Sequence, residues 1–283
     1  MIAAPMTAAP TPLSEAPRRQ RSQGRVRLAV ASTKGRSHLA ELAEGGSLRA
    51  RLPRVADGTI EAVLVNTAGG VACGDTYAIA VDARAGAQVV IATPAAEKVY
   101  RSDGPDATID VRLTVEDGAA LHWLPQETIL FDQARLVRRY EVDVAATGTL
   151  LSFEGLMFGR TARGEAMQAG HVVDHWRVRR NGELVFADAL RLSGPVSELL
   201  SRPAIGGGCT ALATLLYVAP DAEARLEAVR ATLAGAACEC GASAWNGLLV
   251  ARFMARDIET LRRDAIAFLV AFRGAPLPRV WGL

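Results

Sequence analysis

The stretch V-E-D-G-A-A-L-H-W, residues 115–123, reads as a β-strand, a tight turn at Gly118 and a second strand. Apolar and polar residues alternate on both sides of the turn, which is the two-residue period of a β-strand. Asp-Gly is a strong signal for a hairpin turn, because glycine adopts positive φ without steric cost. The stretch is therefore predicted to form a β-hairpin.

Four further units of this kind lie at nearly regular intervals along the chain. They span residues 55–63, 82–91, 144–153 and 179–186, with turn glycines Gly58, Gly86, Gly148 and Gly182. With Gly118 included, successive turn glycines are 28, 32, 30 and 34 residues apart. Units at such spacing bury their faces against their neighbours, so they predict a layered or solenoid-like β body of stacked hairpins. An ordinary β-sandwich, whose turns also recur, is the alternative.

A different pattern follows the body. Apolar residues recur at helical spacing in residues 221–234 and 257–272, and they alternate with polar residues in residues 210–219 and 244–254. These segments predict two helices and two strands. The aspartate that opens each helix is its predicted N-cap, and Gly235 and Gly274 lie where C-terminal caps are expected.

The fold class is therefore predicted to be mainly β, with a C-terminal α/β portion that carries two helices. We divide the chain into a disordered basic arm at residues 1–24, a layered β body at residues 25–202 and an α/β cap at residues 203–283. The cap is expected to pack on the body.

The composition argues against several classes of function. A net charge of +2 and an aromatic content of 5% are low for a protein that binds nucleic acid. The N-terminal residues are proline-rich without a continuous apolar run, so they predict neither a signal peptide nor a membrane segment. Four cysteines in a chain without a secretory signal indicate a reducing compartment, and a cytoplasmic location is expected.

The segment W-L-P-Q-E-T-I-L-F-D, residues 123–132, places Gln126 and Glu127 between two apolar runs. An ionised carboxylate in such surroundings is costly unless it is paired or reaches water. Glu127 is therefore expected to have a basic partner or to line a wet channel. The candidate basic partners in the sequence are Lys98 and Arg101 upstream and Arg138, Arg139, Arg160 and Arg163 downstream.

The glycine-rich stretch N-T-A-G-G-V-A-C-G-D, residues 66–75, does not match a phosphate-binding loop. Neither Lys-Ser nor Lys-Thr follows it, and residues 76–81 alternate like a strand instead of starting a helix. The stretch is predicted to hold Asp75 at a fixed place. A purely structural turn is the alternative.

Histidine and cysteine pairs raise the question of a metal site. His171 and His175 would lie about 13 Å apart on a predicted strand, too far to hold one ion. Cys238 and Cys240 share a strand face at about 7 Å, so a structural metal site at these thiols is one interpretation. Buried free cysteines are the other. No Ser-His-Asp or Cys-His arrangement follows from the spacing, so catalysis has little support.

Nine polar residues in apolar surroundings remain as candidates for a site. They are Asp75, Glu97, Lys98, Tyr100, Gln126, Glu127, Asp132, Arg160 and Glu165. One interpretation is a satisfied ion-pair network in a protein-interaction module without a metal role. Another is an acid/base enzyme in which Glu127 acts together with Asp75 or Lys98.

Five motifs resemble the urease accessory protein D family, UreD, also called UreH. The motifs N-T-A-G-G-V-A-C-G-D, A-A-E-K-V-Y-R-S, L-P-Q-E-T-I-L-F-D, F-G-R-T-A-R-G-E and L-P-R-V-W occur in this order between Asn66 and Trp281. Ala72 and Cys73 depart from the family pattern, which more often has glycine in this loop. The resemblance implies a largely β fold with a helical C-terminal portion.

The resemblance also implies a non-enzymatic scaffold, a metallochaperone for nickel insertion. Such a protein joins the urease apoprotein to UreF and to the nickel-carrying GTPase UreG in a dimeric accessory complex, without nucleic-acid or membrane partners. Ni²⁺ would pass transiently, with no tightly bound cofactor, because oxygen ligands release it more readily than thiolate or imidazole cages. We hypothesise that Asp75, Glu97, Glu127 and Glu165 line a wet path. Lys98 and Arg160 would keep the ion from settling.

Overall fold

The structure, a computed structural model, describes residues 21–55 and 58–282. The predicted basic arm lies outside the described residues up to residue 20. Residues 56–57, just before the turn glycine of the first repeat unit, also lie outside them.

Seven strands form the first sheet, called sheet A. They are β1 (Gln23–Thr33), β2 (Arg36–Gly46), β5 (Thr76–Ala83), β8 (Ala107–Val115), β11 (Arg135–Val144), β13 (Gly170–Arg180) and β14 (Glu183–Gly194). Their order across the sheet is β14-β13-β11-β8-β5-β1-β2. Neighbouring strands from β1 to β13 are parallel, and the two edge strands are antiparallel to their neighbours.

Ten strands form the second sheet, called sheet B. They are β3 (Leu48–Arg51), β4 (Ile60–Asn66), β6 (Gln88–Ala92), β7 (Glu97–Val99), β9 (Ala120–Leu124), β10 (Thr128–Leu130), β12 (Thr149–Phe158), β15 (Ala211–Val218), β16 (Glu239–Trp245) and β17 (Leu248–Ala255). The main order is β16-β17-β15-β12-β9-β6-β4-β3, while β10 pairs with both β12 and β7.

The layered, solenoid-like body is confirmed, but three of the five predicted hairpins are wrong. The turns at Gly86, Gly118 and Gly148 carry the chain from sheet A to sheet B, so the strands they join do not pair with each other. Each strand pairs in parallel with the corresponding strand of the next unit, as β5 does with β8 and β6 with β9. The turn at Gly182 closes an antiparallel hairpin between β13 and β14, and β3 and β4, the strands on either side of Gly58, also pair antiparallel. Strand alternation and a glycine turn are common to hairpins and to such arches, so local sequence does not separate them.

The main core fills the space between the two sheets. Leu28 and Leu113 from sheet A are fully buried, as are Leu121 and Leu150 from sheet B. Fully burying a leucine side chain contributes about 1.5–3 kcal/mol. The period of two residues therefore sets which residues of each strand face this core.

Three helices lie in the C-terminal third of the chain: α1 (Val196–Ser201), α2 (Leu226–Leu233) and α3 (Ile258–Arg273). The two predicted helices are α2 and α3, and α1 was not predicted. The predicted N-cap of α3 is confirmed, since the Asp257 side chain accepts a hydrogen bond from the Thr260 N–H at 2.7 Å. Asp221 caps no helix and instead accepts from the Tyr217 hydroxyl at 2.8 Å. A short 3₁₀ turn, Glu223–Arg225, takes up the predicted start of α2.

Helices α2 and α3 cover the face of sheet B that points away from sheet A. Leu261, Phe268 and Leu269 of α3 are buried in a second apolar core with Leu215 and Phe253 of the sheet. The predicted strand at residues 210–219 corresponds to β15, while residues 244–254 cover the last two residues of β16, a turn and most of β17. Among the described residues, no helix is both long enough and apolar enough to cross a membrane. The division of the chain into a body and a cap stays a prediction.

Candidate functional site

Glu127 and Gln126 bind the C-terminal segment of the chain. The Arg262 guanidinium, on α3, donates to the Glu127 carboxylate at 2.8 Å and to the Trp281 carbonyl at 2.9 Å. Gln126 donates from Nε2 to the Val280 carbonyl at 2.8 Å. The predicted basic partner of Glu127 therefore exists, but it is none of the six candidates named from the sequence. Its separation of 135 residues from Glu127 placed it beyond any local pattern.

Glu97, Lys98 and Tyr100 lie against the glycine-rich loop. Asn66 donates from Nδ2 to both Glu97 carboxylate oxygens at 3.4 Å, and the Tyr100 hydroxyl donates to the Gly69 carbonyl at 2.7 Å. Burial raises the pKa of Glu97 to about 7, although the hydrogen bond from Asn66 opposes this shift. Lys98 is exposed on the same short strand. Glu97 therefore changes its charge near neutral pH.

Asp75 is buried and closes the glycine-rich loop upon itself. Its Oδ1 accepts from the Ser22 N–H at 2.7 Å, and its Oδ2 accepts from the Ala72 N–H at 2.8 Å and from the Tyr77 hydroxyl at 3.3 Å. The loop thus holds Asp75 in place, as predicted. These three donors also give the side chain a structural role.

Asp132, Arg160 and Glu165 form one contact group. Arg160 donates from Nε to Glu165 Oε2 at 2.9 Å, and the Asp132 N–H donates to Glu165 Oε1 at 3.1 Å. The hydrogen bond from Arg160 lowers the pKa of Glu165. The Arg160 guanidinium also lies 4.3 Å from the centre of the Phe131 ring, and the Phe131 and Tyr100 rings pack edge to face with their centres 5.1 Å apart. The group therefore extends to Tyr100.

The four predicted conduit carboxylates do not converge on one point. Glu97 and Glu127 are neighbours, since the Glu97 N–H donates to the Glu127 carbonyl at 2.9 Å. Asp75 is bonded within its own loop and Glu165 is bonded to Arg160. Among the described residues, no three His, Cys, Asp or Glu side chains are arranged to hold a metal ion.

A buried charged cluster between the sheets was missed by the sequence reasoning. Arg138 of β11 donates to Asp174 of β13 at 2.6 Å, to Glu154 of β12 at 3.0 Å and to the Thr128 hydroxyl at 3.3 Å. Tyr140 donates its hydroxyl to Glu154 at 2.5 Å. The signal was present, because Arg138 has the same strand parity as the inward-facing Tyr140 and so had to point into the core.

The charges of this cluster depend on one another. Burial alone would lower the pKa of Arg138, but the adjacent Asp174 and Glu154 carboxylates outweigh it and raise that pKa. Burial raises the pKa of Glu154, and Arg138 opposes that shift. One guanidinium therefore serves two carboxylates, and neither carboxylate has another cation among its described contacts.

Glu154 and Asp174 also line a cavity of about 260 Å³ between the sheets. Its rim carries Asp188 of β14 and Arg252 of β17, which form an ion pair at 2.8 Å. Ser152, two residues before Glu154, is buried, and its hydroxyl has no hydrogen-bond partner among the described residues. The space between the two sheets is therefore polar around Glu154 and Asp174.

The cysteines form no disulfide in the part of the chain that the structure describes. Burial raises the pKa of the Cys238 thiol to about 12, which disfavours the thiolate that a metal needs. Cys240 donates from its sulfur to the Leu233 carbonyl at 3.6 Å. The metal site at these thiols stays a prediction.

Comparisons with known proteins give the family. The model of the family described as UreD urease accessory protein matches residues 22–282. A urease accessory protein UreD of Azorhizobium caulinodans is 64% identical over 271 residues, which cover 96% of this chain and all of the relative. A UreD of Xanthobacter autotrophicus is 67% identical over 93% of this chain and 91% of its own, and one of a Methylobacterium species is 52% identical over 98% and 99%. With its fold, its motifs and these relatives in agreement, the chain belongs to the UreD family of urease accessory proteins.

Proposed function

We propose that this protein is a scaffold that joins the urease apoprotein to UreF and to the GTPase UreG, and that Ni²⁺ passes along it toward urease. Membership of the urease accessory protein family is the observation that carries the proposal. The scaffold itself catalyses no reaction and holds no tightly bound cofactor. It acts in the cytoplasm as part of a dimeric accessory complex.

The polar interior of the β body supports a path for the ion. The first candidate on this path is Glu97, whose pKa of about 7 lets it bind and release a cation near neutral pH. Glu154 and Asp174 face the cavity between the sheets and extend the set of oxygen ligands. Carboxylate oxygens hold Ni²⁺ less firmly than thiolates or imidazoles do, as a path for a moving ion requires.

Isosteric variants test the path with least damage to the fold. We choose Glu97→Gln, Glu154→Gln and Glu165→Gln, because each keeps a hydrogen-bonding group in place, with the exposed Glu183→Gln as the matched control. Each variant is coexpressed with urease and its accessory proteins. Urease nickel content and activity should fall in the three variants and stay normal in the control, while copurification with the partners is unchanged. Normal nickel content in all three would contradict the path.

A scaffold without a metal role is the second candidate. The hydrogen bonds around Asp75 and the ion pair between Glu127 and Arg262 favour it, because they satisfy these carboxylates within the fold. In that case all three Gln variants activate urease normally. The acid/base enzyme has no such support, since no described contact joins Glu127 to Asp75 or Lys98.

A further inference from the structure

The face of sheet A that points away from sheet B is open and carries a trough with an alanine floor. Residues side by side on β1, β5, β8 and β11 form two rows across this face, Arg25-Ala78-Asp110-Arg139 and Arg27-Ala80-Arg112-Glu141. Ala78 and Ala80 are the short members of their rows. We call the depression above them the alanine trough, with Arg25 and Arg27 as one wall and Asp110 and Arg112 as the other.

The trough has the size of a recognition site. A surface cavity of about 450 Å³ lies over Ala78 and Ala80 and reaches to Arg139. A second cavity of about 440 Å³ shares Arg25, Ala78 and Asp110 with it and continues along β5 to the first residue of the strand, Thr76. The two together form a channel that follows β5. Its small side chains leave the apolar floor accessible between longer charged neighbours.

Two of the arginines in the walls have no partner among the described residues. Arg27 is paired with Asp82 at 3.1 Å, and Arg139 is paired with Asp110 at 3.1 Å. For Arg25 and Arg112, by contrast, the described part of the chain offers neither an ion pair nor a side-chain hydrogen bond. Arg25 and Arg112 therefore present their guanidinium donors to the solvent on opposite sides of an apolar floor.

We propose that the alanine trough binds an acidic segment of a partner protein, whose carboxylates pair with Arg25 and Arg112. The cavity over the trough is lined by four arginines against one aspartate and one glutamate, so its charge complements an anionic partner. Arginine binds a carboxylate through two parallel hydrogen bonds. The alanine floor adds an apolar surface on which the side chains of the partner segment can pack.

The wall carboxylates favour a protein segment over nucleic acid. Asp110 and Glu141 lie among the arginines and would repel a continuous phosphate backbone, whereas a peptide can place a cation or a hydroxyl next to them. Strands are about 4.8 Å apart and rise about 3.3 Å per residue, so Arg25 and Arg112, two strands and two residues apart, have Cα atoms about 12 Å apart. The partner segment should carry two carboxylates at a similar separation.

The test measures binding to purified proteins. This inference rests on the proposed scaffold function, so the probes are the urease apoprotein, UreF and UreG, each immobilised in turn, at about 50 mM and about 200 mM salt. The double variant Arg25→Glu, Arg112→Glu reverses the two unpaired charges. Ala80→Tyr fills the floor without changing the charge, and tyrosine suits a strand. Arg84→Glu, an exposed arginine in the turn after β5, is the matched control.

The double variant should weaken the binding of one of the three proteins at least about tenfold at low salt, with a smaller loss at high salt. Ala80→Tyr should weaken the same protein, and Arg84→Glu should leave it unchanged. Equal binding by the wild type and both trough variants would overturn the trough while leaving the scaffold intact. A wild type that binds none of the three proteins would overturn both. Wild-type binding to a DNA duplex of about 30 base pairs that the double variant loses would also refute the choice of a protein segment.

Discussion

Replacing Arg138 with methionine should destabilise the protein strongly. Arg138 donates two hydrogen bonds to Asp174, one to Glu154 and one to Thr128, and so joins the two sheets. Its guanidinium and both carboxylates are less than 10% exposed. Removing the cation leaves two buried carboxylates without their charged partner. Breaking such a pair costs about 3–5 kcal/mol.

For a chain of this size, 1 kcal/mol corresponds to about 2–4 °C, so the midpoint of thermal unfolding should fall by about 10 °C. The loss should also depend on pH. Arg138 opposes the rise in the pKa of Glu154 that burial causes, so the variant raises this pKa further. A carboxyl group whose pKa is higher in the folded than in the unfolded state binds protons more tightly when folded, so lowering the pH stabilises the fold. The difference between variant and wild type should therefore shrink as the pH falls from about 8 to about 5.

Circular dichroism during heating, repeated across this pH range, measures both effects. Arg139→Met is the control, because Arg139 is the next residue of the same strand and its pair with Asp110 is 50% and 59% exposed. Such an exposed pair contributes about 0–1 kcal/mol. Equal losses in the two variants, or a loss in Arg138→Met that grows as the pH falls, would refute the reasoning.

Three further predictions concern other parts of the fold. Arg262→Met removes the partner of Glu127 and the donor to the Trp281 carbonyl, so the free energy of unfolding should fall by about 1–3 kcal/mol. Tryptophan fluorescence should also shift to the red, and an unchanged spectrum would contradict the role of Arg262 in holding the segment around Trp281. Burial raises the pKa of Glu97 to about 7 from 4.5. The cost of ionising Glu97 in the folded protein therefore grows between pH 4.5 and about 7 and is fully present above pH 7. Glu97→Gln should therefore stabilise the protein against urea by about 1–2 kcal/mol at pH near 8 and hardly at pH near 4, and an equal gain at both would count against it. Because burial raises the pKa of the Cys238 thiol to about 12, a maleimide at neutral pH should label it at least about 100-fold more slowly in the native than in the unfolded chain, as measured by peptide mapping.

Several features of the fold follow from the sequence alone. Strand alternation and the turn glycines predicted a layered β body, because side-chain period and positive φ are properties of a few consecutive residues. Helix α3 was predicted with both its ends, since Asp257 and Gly274 act on the backbone groups beside them. The five motifs indicated the family, which the comparisons confirm.

The tertiary structure decided which strands pair and which charges meet. The repeat units proved to be arches between two sheets, because pairing depends on neighbouring layers that a single unit does not encode. Arg138, Glu154 and Asp174 come from three strands of two sheets, and Arg262 reaches Glu127 across 135 residues. A buried charge takes whichever partner the packing brings within hydrogen-bond distance, and that distance is set by the whole fold.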